Sequence, residues 1–188
     1  MNFKMLKAMA QAYQEQKRRQ LAQPEQLKTI KKAYNDICAG EDPWTALGNF
    51  RNTWYGYATH MRSELVSEPL IKPEQEIEYT HRWAAFCTAS VEFLCERYNV
   101  PCPDWVDDPY YTLSYPWSGS YVFPEIHQHN IETTYQPFKK RNIFCGNRLF
   151  RNKYEMYEWI VEAIEQGMTD MSEIRNYALQ KEIAIHDA

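Results

Sequence analysis

The stretch EIEYTHRWAAFCTASVEFLCERY, Glu76 to Tyr98, decides the fold. Its apolar residues Ile77, Trp83, Phe86, Cys87, Val91, Leu94 and Tyr98 recur at helical spacing but spread around more than one face. A surface helix needs a single apolar stripe, so this pattern predicts a central helix packed on several sides. Asn99 and Pro101 end it, because Asn tolerates the left-handed backbone that closes a helix and a residue before proline is driven out of the helical region.

Outward from this helix the periodicity stays helical. On the N-terminal side, Phe3, Leu6, Ala10 and Tyr13 predict an amphipathic helix over residues 3 to about 20. A second helix is predicted after Pro24, with Leu27, Ile30, Tyr34 and Ile37 as its stripe and Gly40 as its stop. In GEDPWTALGNF, Asp42 caps a third helix and Pro43 occupies a first-turn position where no donor is needed. Leu47, Phe50, Trp54 and Ala58 form its apolar face. Residues 65–75, LVSEPLIKPEQ, are a connector with two prolines.

On the C-terminal side, residues 99–137 hold six prolines and many tyrosines. That density of proline predicts an ordered aromatic loop wrapping the helices, with a short strand at Tyr121 to Phe123. Two helices close the chain. One runs from Asn152 through Tyr154, Tyr157, Ile160, Val161 and Ile164 to Gly167, and the other starts at Asp170 with a capping box to Glu173. The expected fold class is therefore mainly α: a single-domain helical bundle over 1–188 with a Pro/Tyr-rich irregular loop region at about 99–137. Residues 1–38 are a candidate semi-independent N-terminal helical hairpin.

With 188 residues, 44% of them hydrophobic and only six glycines, the chain has the composition of an ordered globular protein with a sizeable core. Its mean hydropathy of -0.68 and the lack of an apolar run of about 20 residues predict no membrane span. The N-terminus MNFKMLKAMAQAYQEQKRRQ has no signal-peptide pattern, so a cytoplasmic location is the expectation. Five cysteines, Cys38, Cys87, Cys95, Cys102 and Cys145, lack a CxxC pair and predict structural thiols rather than a disulfide framework or a zinc ribbon.

Charge is segregated along the chain. The net charge is -4, yet residues 1–36 carry +5 and residues 137–153 carry +6, against -4 for 37–101, -5 for 102–136 and -6 for 154–188. The basic block PFKKRNIFCGNRLFRNK interleaves six cations with three phenylalanines and contains no carboxylate. Three readings fit it. The cations can neutralise the acidic loop or the acidic C-terminal helix, with little stabilisation from each exposed pair. They can meet a protein partner, where Arg and aromatics are the usual anchors. Alternatively they can meet the phosphates of RNA or DNA while bases stack on the rings.

Motifs for catalysis are sparse. No GxGxxG, GxxxxGK[ST], GxSxG or HExxH occurs, which leaves a phosphate-cradling loop, a nucleophile elbow and a helical zinc site without support. His127 and His129 in an extended segment, with Glu125, are candidate metal ligands for a metal-dependent enzyme, and solvent-facing loop histidines are the competing reading. Arg51 and Asn52 precede His60, but eight residues separate Arg51 from His60, longer than the arrangement in helical ribonucleases of the HEPN type allows. Asp104, Asp107 and Asp108 beside Trp105 read as turn chemistry. The aromatic pairs Tyr110 with Tyr111 and Pro116 with Trp117 read as core-edge cover or a small pocket lining.

The blocks GEDPWTALGNF, RWAAFCTASVEFLCERYNVPCPDWVDDPYYTLSYPW and PFKKRNIFCGNRLFRN together resemble a family of small bacterial proteins with no assigned activity, over residues 40–152. The resemblance brings no catalytic residue and implies an antitoxin-like or regulatory role. It also implies that the last block belongs to the fold, with Phe138, Ile143, Phe144 and Phe150 as anchors and the cations projecting outward. The expected function is binding of another macromolecule, a protein partner first and nucleic acid as the alternative, through Lys139, Lys140, Arg141, Arg148 and Arg151. No cofactor and no membrane is expected, and the oligomeric state is open.

Overall fold

The computed structural model describes residues 27–74, 77–118 and 124–186, together with residues 12 and 15. The predicted helix at 3–20, the N-terminal hairpin and the strand at Tyr121 to Phe123 lie wholly or largely outside the described residues. The fold is mainly helical. Contacts cluster into two compact units, Met1–Gly146 and Asn147–Ala188.

The first unit is organised by the predicted central helix. Thr29 caps α1 (Ile30–Cys38) by accepting from the Lys32 amide, so this helix starts later than the stripe from Leu27 suggested. Ile30, Ala33, Tyr34 and Ile37 are buried, and Gly40 beyond the helix has φ +98°. Helix α2 (Pro43–Asn52) starts as predicted, with the Asp42 carboxylate accepting from the Thr45 amide at 2.9 Å. The α-helix does not continue through Trp54. The chain widens into a π-turn, Thr53–Tyr57, that contains Gly56. The altered turn leaves the Trp54 carbonyl open to Arg62, whose Nε donates to it at 3.3 Å. The same guanidinium lies over the Trp54 and Tyr98 rings. Trp54 and Ala58 are buried, as their place in the apolar stripe predicted. A short helix α3 (Arg62–Val66) then leads into the connector.

Helix α4 (Glu78–Tyr98) passes through the middle of this unit. Every residue from Trp83 to Val91 is buried, a run that only a helix covered on all sides can have. Asn99 closes it with φ 51°. The Pro- and Tyr-rich segment that follows is tied to the helices by side-chain donors. Trp105 Nε1 donates to the Val66 carbonyl at 2.9 Å and the Tyr111 hydroxyl donates to the Leu70 carbonyl at 3.4 Å.

One part of this region differs from expectation. Residues 124–133 form α5 (Pro124–Thr133), where proline density had predicted loop. Pro124 stands at the first helical position, where its missing amide has no bond to lose, and no proline follows until Pro137. Pro137 is again in the first turn of a helix, α6 (Gln136–Lys139). Strands β1 (Trp117–Ser118) and β2 (Ile143–Phe144) pair in parallel, Trp117 with Ile143 and Ser118 with Phe144. The basic block is thus part of the fold, as the resemblance implied. Phe138, Ile143 and Phe150 are buried, while Phe144 is half-buried.

The first unit ends where the Thr134 hydroxyl accepts from the Cys145 amide at 2.9 Å and the Gly146 amide at 2.7 Å. Gly146 has φ +72°, and a Cβ there would meet the Asn130 side-chain oxygen at 2.6 Å. The second unit is a helical hairpin. Asn152 caps α7 (Lys153–Glu165), and Asp170 caps α8 (Met171–His186), both as predicted. Gly167 turns the chain between them with φ +92°.

Two substitutions test this account. Phe138→Ala empties a fully buried site in edge-on contact with Phe86 and is expected to lower stability by about 3–5 kcal/mol. Gly146→Ala meets both a left-handed backbone and a close neighbour, and is expected to cost about 1–3 kcal/mol. Chemical denaturation checks both, and a neutral Gly146→Ala would refute the close approach.

Candidate interaction surface

The cations of the basic block differ in exposure: Lys140, Arg148, Arg151 and Lys153 are exposed, Lys139 is half-buried and Arg141 is buried. Arg141 is only 3% exposed. Its Nη1 donates to Glu92 Oε2 at 2.5 Å and to the Pro137 carbonyl at 2.8 Å, and its Nη2 donates to the Val106 carbonyl at 2.9 Å. Arg141 is therefore corrected from a contact residue to an internal tie, because its donors are used inside the protein. Lys140 is exposed but pairs with the same Glu92, and Lys139 donates through Nζ to the Glu132 carbonyl at 2.9 Å. The remaining two cations belong to the second unit. Arg151 pairs with the nearly buried Glu182 at 3.5 Å, and Arg148 is exposed. Much of the block is thus neutralised by carboxylates of the central and C-terminal helices.

The histidine pair also changes geometry. His127 and His129 lie on α5 rather than on an extended strand, and two residues apart on a helix means about 200° of rotation between them. His129 is exposed and His127 half-buried. Among the described residues no group of three or more His, Cys, Asp or Glu is placed to hold a metal ion.

Sequence periodicity passed over an aromatic surface built on the starts of α2 and α4. The Asp42 cap and Pro43 fix the first turn of α2 and so place Trp44 at its rim. There its ring stands edge-on to Trp83 at 5.4 Å and to Phe86 at 5.7 Å. Trp83 meets Trp117 at 5.3 Å and Tyr79 at 6.5 Å. Phe86 carries the stack inward to Phe138 at 5.2 Å. The outer members remain in water: Trp44 is 43% exposed and Tyr79 47%. Arg82 lies over the Tyr115 and Trp117 rings, at 5.4 and 5.9 Å, while pairing with Glu78. The Tyr115 hydroxyl donates to the same Glu78 carboxylate at 2.9 Å.

Several aromatic rings therefore continue from core to surface in one cluster, with an arginine stacked at its edge. The signal in the sequence was the pairing of Trp44 with a helix start, since a large aromatic in a first turn is not required by the buried stripe Leu47, Phe50 and Trp54. Tyr110 and Tyr111 take the core-edge role, with Tyr111 buried and Tyr110 half-buried. The short turn Asp104–Asp107 and the cap from Asp108 to the Tyr110 amide give the aspartate cluster its role in turns. Among the described residues no helix is long and apolar enough to cross a membrane.

Compared with known protein families, curated proteins and solved structures, the chain matches none significantly. Function must therefore be argued from the geometry of its surface.

The buried tie has a measurable consequence. Glu92→Gln keeps the shape but leaves the Arg141 charge uncompensated, and is expected to cost about 3 kcal/mol. Lys140→Ala removes only an exposed partner and is expected to change stability by less than about 1 kcal/mol. The double variant Glu92→Leu/Arg141→Met, which buries no charge, is expected to be more stable than Glu92→Gln alone. Equal effects from the two single substitutions in urea denaturation would overturn the reading.

Proposed function

We propose that this chain acts by binding another protein, and that the contact face is the aromatic surface of Trp44, Tyr79, Trp117 and Arg82. The observation that carries the reading is the exposure of Trp44 and Tyr79 on a cluster of rings continuous with the core. Trp, Tyr and Arg are the side chains that carry most binding energy at protein interfaces. Here they are also held in place beforehand by the Asp42 cap and by edge-on ring contacts, so little side-chain freedom is lost on binding. Exposed carboxylates at the same helix starts, Glu41, Asp42, Glu74 and Glu78, favour a partner with apolar side chains flanked by Lys or Arg. The antitoxin-like or regulatory role that the resemblance implies is one form of such binding, and identifying the partner decides it.

RNA or DNA binding through residues 137–153 is the alternative, and the burial of Arg141 weakens it. Affinity capture from the source cells, with and without nuclease, separates the two. The wild type is compared with Trp44→Ala/Tyr79→Ala and with Lys139→Glu/Lys140→Glu/Arg148→Glu. The expected result is a nuclease-resistant partner that binds the aromatic variant about thirtyfold more weakly, equivalent to about 2 kcal/mol, and binds the charge variant normally. Loss only in the charge variant refutes the aromatic face, and recovery only of nuclease-sensitive material supports the alternative.

A further inference from the structure

The aromatic face already holds one cation of its own. The Arg82 guanidinium lies over the Tyr115 and Trp117 rings at 5.4 and 5.9 Å and pairs with Glu78. The same carboxylate accepts from the Tyr115 hydroxyl at 2.9 Å, which fixes it beside the rings. A ring face carries the negative part of the aromatic quadrupole, and a guanidinium is planar and weakly hydrated. It can therefore lie on a ring and still donate sideways to a carboxylate.

Trp44 and Tyr79 offer the same chemistry to a ligand from outside. Both stand steeply on the buried Trp83 ring, at 89° and 65°, and both are exposed. Among the described residues no cation lies over either ring. Carboxylates adjoin them in the chain: Glu41 and Asp42 come just before Trp44, Glu78 comes just before Tyr79, and all three are exposed. No Lys or Arg occurs between residues 33 and 50. The start of α2 carries about half a positive charge from its amides, and its two carboxylates outweigh it. The open part of the face thus attracts a cation.

Resting on the aromatic face as the contact surface, we propose that the partner residue seated on its open rings is an arginine. Its guanidinium stacks on Trp44 and donates to the carboxylates at the start of α2, as Arg82 stacks on Trp117 and donates to Glu78. A lysine ammonium is more strongly hydrated and presents no plane to the ring, so it is held less tightly. An apolar anchor gains from the rings alone and nothing from the carboxylates.

The test titrates the full-length protein, labelled with nitrogen-15, with N-acetyl-arginine amide and follows the indole N–H signals of its six tryptophans. The Trp44 signal is assigned by its loss in Trp44→Phe. It is expected to move saturably with the arginine probe, about threefold more weakly with N-acetyl-lysine amide, and about tenfold more weakly with N-acetyl-citrulline amide, which has the shape without the charge. Glu41→Gln/Asp42→Asn keeps a capping side chain and is expected to weaken the arginine probe about fivefold. No saturable shift at Trp44, or binding of the lysine or citrulline probe as tight as that of arginine, would overturn the proposal. If a captured partner still depends on Trp44 and Tyr79 in that case, the aromatic face stands and only the arginine anchor falls. A captured partner indifferent to both residues would remove the face and the anchor together.

Discussion

The guanidinium of Arg141 holds the first unit together. From one nearly buried position it reaches the Glu92 carboxylate on the central helix, the Pro137 carbonyl at the start of α6 and the Val106 carbonyl in the short turn after the central helix. Three segments distant in sequence meet at one side chain. A buried charge is costly unless its partner is opposite in sign and its remaining donors are satisfied, and both conditions are met here. The next residue, Asn142, has a left-handed backbone, φ 59°, and its side chain donates to the Leu113 carbonyl at 2.6 Å. Its own carbonyl accepts from the Trp117 amide at 2.8 Å, and β2 follows directly. The paired strands, and with them Trp117, are therefore positioned by the same short run of residues that carries the buried arginine.

That arrangement explains why an acidic protein has a strongly basic aromatic segment. The cations and rings of residues 137–144 do different work. Phe138 and Ile143 fill the core, Arg141 spans it and Lys140 shares the Glu92 carboxylate. Charge that looks segregated along the chain is locally balanced in space, since α4 supplies the carboxylate that α6 and β2 lack. The surface proposed for a partner lies instead at the starts of α2 and α4. Trp44 stands in the capped first turn of α2 and Tyr79 in the first turn of α4, both with large side chains exposed.

The turn that begins just past Pro103 supplies the Val106 carbonyl to Arg141. The last turns of α4 and the segment after it therefore combine a buried ion pair with a proline-stiffened return. Its other end carries the aromatic rim. The central helix thus links two chemically distinct regions through a fully buried middle.

Local patterns in the sequence determined most of the helical elements of the described chain. The multi-faced stretch 76–98 marked the central helix, Asp42 with Pro43 marked the start of α2, and Asn152 and Asp170 marked the two closing helices. Each of these signals is short-range, a cap or a periodicity read within a few turns, so sequence alone carries it. The π-turn at Thr53–Tyr57 and the helix at Pro124–Thr133 were not legible in the same way. The first has its Trp54 carbonyl taken by Arg62, eight residues on, and the second has its proline at a first turn rather than inside a helix. The candidate sites were less legible still. Whether a cation faces water or a carboxylate forty-nine residues away, as Arg141 faces Glu92, depends on which helices pack together. Likewise, the exposure of Trp44 beside the burial of Trp83 follows from the ring contact that sets the start of α2 against α4. Tertiary packing alone decides such pairings, because their partners are distant in sequence and no local propensity encodes which side chains will meet.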